Sequence, residues 1–126
     1  MTKHTVLIVE DADDVVPLEI ALAALDGVKV IILANGREAI NLLNTASVRI
    51  SAVVTDLHLP HVDGFELVKA IRADNRYSRI PIVVVSGDSL PEVPEQLRLL
   101  GADAFFPKPY SPAEIRKTLK GLLSAS

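Results

Sequence analysis

Five short runs of apolar, mostly β-branched residues punctuate the chain, and each is followed by a segment of helical spacing. No other feature constrains the fold as much. The runs are TVLIV (5 to 9), VKVIILA (28 to 34), ISAVVT (50 to 55), IPIVVVS (80 to 86) and ADAFF (102 to 106), and each is expected to form a strand. Between and after them, apolar residues recur on one helical face: Val15, Leu18, Leu22 and Leu25; Ala39, Leu42, Leu43 and Ala46; Phe65, Val68 and Ile71; Val93, Leu97 and Leu100; Ile115, Leu119 and Leu122. Strict alternation of strand and helix implies right-handed crossovers and a parallel sheet covered on both faces. The expected class is therefore α/β, a doubly wound (βα)5 fold with a five-stranded parallel sheet.

Size and composition narrow the chemistry. The chain has 126 residues, which fits one domain over 1–126 and leaves no room for a second core. It contains no cysteine, so disulfides, thiolate nucleophiles and cysteine-ligated metals are excluded, in keeping with a reducing cytoplasm. The apolar run near the amino terminus is five residues long and ends in acids (MTKHTVLIVEDADD), far short of a signal peptide or a membrane span. A soluble, cytoplasmic protein with no membrane partner is expected. A formal net charge of −3 without any long Lys/Arg run argues against nucleic acid as a partner of this chain.

In open α/β sheets the functional groups gather at the carboxyl ends of the strands. Here strand 1 ends in Glu10 and Asp11, strand 3 in Asp56 and strand 4 in Ser86, while strand 5 runs into Lys108. Three acids, a hydroxyl and an ammonium would meet at one rim. Clustered carboxylates repel one another, and a hard cation with oxygen ligands relieves this; Mg²⁺, which combines one or two carboxylates with phosphate oxygens, fits best. With Lys108 and Ser86, such a metal would surround the equatorial oxygens of a phosphoryl group. A carboxylate can itself attack phosphorus to give an acyl phosphate, and Asp56, central and at the end of the most buried strand, is the candidate nucleophile.

These residues resemble the receiver domains of two-component response regulators, in particular the free-standing kind exemplified by the chemotaxis response regulator. The resemblance runs from VLIVED through VVTDLHLPHVDGFEL and PIVVVSGDS to GADAFFPKPYSP, and the four stretches in order, at the strand ends, are specific where each alone is weak. It implies the flavodoxin-like strand order 2-1-3-4-5. By the same resemblance Asp56 is the phosphoacceptor, and Glu10 and Asp11 are the acidic pair that holds Mg²⁺, with Asp56 and the backbone carbonyl of His58 as further ligands. Ser86 is the hydroxyl that binds a phosphoryl oxygen and Lys108 the lysine that pairs with it. The Lys108–Pro109 bond is expected to be cis, and Phe105 occupies the aromatic switch position.

The chain also departs from the family's commoner pattern. Ser86 stands where many relatives carry threonine, Gly87 where alanine is commoner, and Phe105 where many have tyrosine. Pro91 suits a first helical turn, and Pro94 requires helix 4 to be short or to start late. Pro107 removes a ladder donor, which an edge strand tolerates. Asp13 and Asp14 are expected to cap helix 1, with Pro17 in or near its first turn. His58 and His61 are taken as solvated loop residues rather than a transition-metal pair, with His58 and Asp88 flanking the water path. Arg72, Arg76 and Arg79 are taken as a solvated face that favours the helix dipole.

The functional expectation is a phosphorylation-dependent switch rather than an enzyme. A sensor histidine kinase or phosphotransfer protein would donate a phosphoryl group to Asp56, and the face of helix 4, strand 5 and helix 5 would change for a downstream protein target. The chain stops at KGLLSAS, directly after helix 5, so output is expected through binding another protein, passing the phosphoryl group on or competing for it. A monomer, or a weak dimer linked to phosphorylation, is expected. Two alternatives share the scaffold: an interaction adaptor that is never phosphorylated, and an aspartate-nucleophile phosphohydrolase. The latter usually has a second aspartate two residues after the first, where this chain has His58.

Overall fold

The computed structural model describes residues 2–10, 15–45 and 47–125. Five parallel strands, β1 (His4–Val9), β2 (Val28–Leu33), β3 (Ala52–Asp56), β4 (Ile82–Ser86) and β5 (Ala104–Pro107), form one sheet in the order β2-β1-β3-β4-β5. Among the described residues the connecting helices are α1 (Val16–Ala23), α2 (Gly36–Leu43), α3 (Gly64–Ala73), α4 (Val93–Leu100) and α5 (Pro112–Ala125), with a 3₁₀ turn at Asn75–Tyr77 before β4. This is the doubly wound α/β class expected of the alternation, in its flavodoxin-like order. No helix among the described residues is long and apolar enough to cross a membrane.

The sheet separates two cores. Successive strand residues point to opposite faces, so Val6, Ile8, Ala52, Val54, Val83 and Val85 pack with Leu18 and Leu22 of α1 and Ile115 and Leu119 of α5. On the other face Leu7, Val9, Val53, Ile82 and Val84 pack with α2, α3 and α4 through Ala39, Leu43, Leu67, Val68, Ile71, Val93 and Leu97. Every residue of β3 and β4 is buried, whereas β2 and β5, the edges, are half-exposed. Hence the central strands have no apolar–polar period: both of their faces are covered. Pro107 pairs in register with Ser86 on edge strand β5, as its missing donor requires.

Helix boundaries follow local chemistry. Asn35 caps α2, its Oδ1 accepting from the Glu38 N–H at 2.8 Å while its Nδ2 donates to Glu38 Oε1 at 3.0 Å. Asp63 caps α3, accepting from the Glu66 N–H at 2.9 Å. Pro17 sits in the first turn of α1, whose N-cap is Val15; the expected caps Asp13 and Asp14 lie outside the described residues. Helix α4 spans eight residues and starts at Val93, so Pro94 falls in its first turn. Pro91 does not join that turn as expected: it lies in the turn ahead of the helix.

One expectation is overturned at the end of α3. Arg72 is no solvated cation, since its side chain is 18% exposed and its guanidinium makes four hydrogen bonds. Nε and Nη2 donate to the Gly101 carbonyl at 3.0 and 2.8 Å, Nη1 to the Tyr77 carbonyl at 3.2 Å and Nη2 to Asp103 Oδ2 at 3.0 Å. Asp103 Oδ2 also accepts from the Ile82 N–H at 2.8 Å. Gly101, left-handed at φ +112°, ends α4, so Arg72 ties the carboxyl end of α4 to α3 and to the start of β4. Arg76 likewise reaches the Leu43 carbonyl at 3.0 Å, while Arg79 is exposed as expected.

Close approach fixes Gly64. Its N–H donates to the Leu57 carbonyl at 2.7 Å, and a Cβ there would stand 2.7 Å from Leu57 Cα and 2.8 Å from the Asp56 carbonyl oxygen. Gly64→Ala is expected to cost about 1–3 kcal/mol, because backbone atoms must shift to admit the methyl. Gly121→Ala in α5, where a Cβ meets nothing within 4 Å, should instead stabilise by about 0.5–1 kcal/mol; urea unfolding measures both. By the same assay, Arg72→Ala should lower stability by about 1–3 kcal/mol at unchanged m, since it removes four hydrogen bonds, three of them part-buried.

Candidate functional site

The apolar stretch AVVTD forms the central strand β3, and its last residue emerges at the carboxyl edge of the sheet. Val9 and Thr55 are register partners, as are Asp56 and Val85. Glu10, which follows β1 in register, and Ser86, the last residue of β4, therefore flank Asp56. Lys108 arrives from the far edge, its N–H donating to the Ser86 carbonyl at 2.8 Å directly after β5. The peptide bond from Lys108 to Pro109 is cis, as expected.

The side chains converge accordingly. Lys108 Nζ lies 2.7 Å from Asp56 Oδ2 and 3.3 Å from Glu10 Oε1, joining groups 52 and 98 residues away along the chain. Glu10 is 4% and Asp56 8% exposed. The His58 N–H donates to Asp56 Oδ1 at 3.2 Å. Asp11, the other expected acid, lies outside the described residues.

Burial divides the two carboxyls. Desolvation, reinforced by the hydrogen bond and the charge of Asp56, pushes Glu10 up to about 7. The same desolvation opposes the Asp56 carboxylate, but hydrogen bonds with Glu10, Lys108 and the His58 N–H outweigh it and hold Asp56 below its ordinary value. Lys108 is also desolvated, yet Asp56 and Glu10 hold it above the ordinary lysine value. Specific donors, Lys108 and the His58 N–H among them, thus favour the carboxylate form of Asp56.

Ser86 is fully buried and its Oγ accepts from the Asp88 N–H at 2.9 Å, a bond that leaves the hydroxyl proton without an acceptor among the described residues. His58 Nε2 approaches Asp88 Oδ2 at 3.4 Å across the mouth of the site. Sequence reasoning placed these two residues near the water path but did not find their contact; the Ser-Gly-Asp turn was its signal. His61 is exposed with φ +70°, and among the described residues no three His, Asp or Glu side chains gather as a metal cluster. Phe105 and Phe106 part to opposite faces of the sheet, Phe105 against the α2/α3/α4 core and Phe106 against the α1/α5 core. Phe105 also lines a cleft of about 170 Å³ with Pro94, Leu97 and Arg98 of α4.

The donor set suits a hard divalent cation. It consists of the carboxylate oxygens of Glu10 and Asp56 without a thiolate, next to an ammonium that can pair with an anion bound to the same cation.

Comparison with known proteins agrees with this geometry. Residues 6–120 match the family model described as the response regulator receiver domain. The response regulator SaeR of Staphylococcus aureus is 30% identical over 118 residues, which cover 94% of this chain and 50% of that protein. The chain spans about half the length of the curated relatives it matches. Among solved structures, the chemotaxis response regulator CheY4 of Vibrio cholerae is 30% identical with a TM-score of 0.84, covering 96% of this chain and 99% of that one. The receiver domain of the sensor histidine kinase PA1611 of Pseudomonas aeruginosa, which has a magnesium ion coordinated in its active-site cleft, is 26% identical with a TM-score of 0.81, covering 98% and 99%.

Proposed function

The chain belongs to the response regulator receiver domain family of two-component signalling, and on that premise we propose that Asp56 is its phosphoacceptor and that a sensor histidine kinase or phosphotransfer protein is its donor. The single observation that carries this reading is the contact of Lys108 with both buried carboxyls, 2.7 Å from Asp56 and 3.3 Å from Glu10. A structural ion pair needs one acid; a second one, Glu10, more buried than Asp56, adds repulsion that serves no packing purpose.

In the proposed reaction a carboxylate oxygen of Asp56 bonds to phosphorus as the bond from phosphorus to the donor's histidine nitrogen breaks, and the imidazole keeps the electron pair. Lys108 follows the charge from the carboxylate to the phosphoryl oxygens, and the Ser86 hydroxyl proton is available to another of them. Glu10, Asp11, Asp56 and the backbone carbonyl of His58 would hold Mg²⁺, which when bound there neutralises charge on the phosphoryl oxygens. Asp56 approaches as a carboxylate because Lys108 and the His58 N–H favour that form.

Signalling is proposed to pass through the face of α4, β5 and α5. A phosphoryl group on Asp56 draws Ser86 toward it, and Phe105 adjusts in the cleft beside α4, shifting a pre-existing equilibrium that a downstream protein reads. The protein is proposed to act without turnover of small phosphomonoesters, beyond promoting its own phosphorylation and dephosphorylation.

Intact-mass spectrometry after incubation with acetyl phosphate tests the site. One added phosphoryl mass is expected in the wild type with Mg²⁺, and none in Asp56→Asn or after chelation with EDTA. Absence of an adduct under every condition, with beryllofluoride also leaving the amide spectrum unchanged, would sink the phosphoacceptor reading in favour of an unphosphorylated adaptor.

A further inference from the structure

The pole of the sheet opposite Asp56 holds a second concentration of charge. Arg49 and Ser51, before β3, and Asn75, Arg76, Ser78 and Arg79, before β4, line a cleft of about 360 Å³. Strand β3 separates Ser51 from Asp56, so the cleft lies roughly 16 Å from the carboxylate site at the usual rise of a strand. It is independent of the phosphoacceptor chemistry.

Tyr77 organises this cleft from beneath. The residue is 1% exposed, its hydroxyl donates to the Val48 carbonyl at 3.3 Å, and the guanidinium carbons of Arg76 and Arg49 lie 5.1 and 6.0 Å from its ring centroid. Arg76 is further held by Asp74, with Nε to Oδ1 at 3.1 Å and Nη2 to Oδ2 at 2.7 Å. Asp74 offsets one of the three positive charges. Arg49 and Arg79 are exposed and form no ion pair among the described residues. The Thr5 N–H donates to Ser51 Oγ at 3.0 Å, leaving that hydroxyl proton free for a ligand.

We propose that this cleft binds a diphosphate group, either free pyrophosphate or the phosphates of a nucleoside diphosphate. Two uncompensated guanidinium forks, with Arg76 prefixed between ring and carboxylate, match the oxygens of two linked phosphates better than those of one. The volume falls at the small end of small-molecule sites, and the cations line a concavity rather than the extended row that a nucleic-acid backbone engages.

An amide NMR titration of the full chain with pyrophosphate, ADP and adenosine, without added Mg²⁺ so that the acidic site does not compete, tests the proposal on the wild type and on the double variant Arg49→Ala, Arg79→Ala. Saturable shifts in residues 49–51 and 75–80 are expected with pyrophosphate and ADP but not with adenosine. In the double variant binding should weaken about tenfold or more at unchanged melting temperature. Equal affinities for pyrophosphate and ADP assign recognition to the diphosphate alone, and tighter ADP binding assigns the nucleotide as its source. The proposal is overturned by no saturable shift with either phosphate, by shifts confined to the Asp56 end, by equal shifts with adenosine, or by wild-type affinity in the double variant. A single-stranded oligonucleotide without terminal phosphates that shifts these residues when pyrophosphate does not would replace it with a nucleic-acid surface.

Discussion

Two carboxyls held at the end of an apolar, doubly covered sheet are the constraint on which the rest depends. Neither Glu10 nor Asp56 reaches much water, so their charge must be met by protein donors or by a bound cation. The nearest fixed cation comes from the far edge of the sheet, through a lysine that bonds both acids and whose own backbone is tethered to Ser86. The rim thereby ties β1, β3, β4 and the end of β5 together. Any anion that enters must take over Lys108 from Asp56, so recognition at one strand end bears on all the others.

Much of this was legible in the sequence, for physical reasons. Parallel strands covered on both faces must be apolar throughout, which made the runs before Asp56 and Ser86 conspicuous, and the ends of strands 1, 3, 4 and 5 then pointed to the candidate residues Glu10, Asp56, Ser86 and Lys108. The boundaries were less clear. β3 begins at Ala52 rather than Ile50, because Ser51 precedes the strand and bonds Thr5 through its own N–H and Oγ. The face of α3 was read from Phe65, Val68 and Ile71, all of which pack on the core, but its buried stripe also takes in Gly64 and Leu67. A glycine gives no hydropathy signal, so the true start of that stripe was silent.

Arg72 shows where sequence reasoning ended. At a helix terminus a cation is ordinarily a solvated complement to the dipole, and nothing within one turn of Arg72 suggested otherwise. Two of its three acceptors lie 29 and 31 residues downstream, at Gly101, whose backbone is left-handed, and at Asp103. Arg76 was obscured in the same way, since its bond to the Leu43 carbonyl crosses between elements. Long-range polar contacts of this kind leave no periodicity to read.

The attachment of α4 is lopsided. Arg72 clamps its carboxyl end by hydrogen bonds, while its amino end follows a segment, residues 87–92, without helix or strand and is held by the packing of Val93. The helix is therefore a lever with its fulcrum at Gly101. Eight residues make an arm of about 12 Å, so each 10° of rotation about that fulcrum sweeps the Val93 end through roughly 2 Å while Gly101 stays in place. Any displacement about that fulcrum would grow toward the loop that leaves Ser86, its direction set by a single guanidinium on a neighbouring helix.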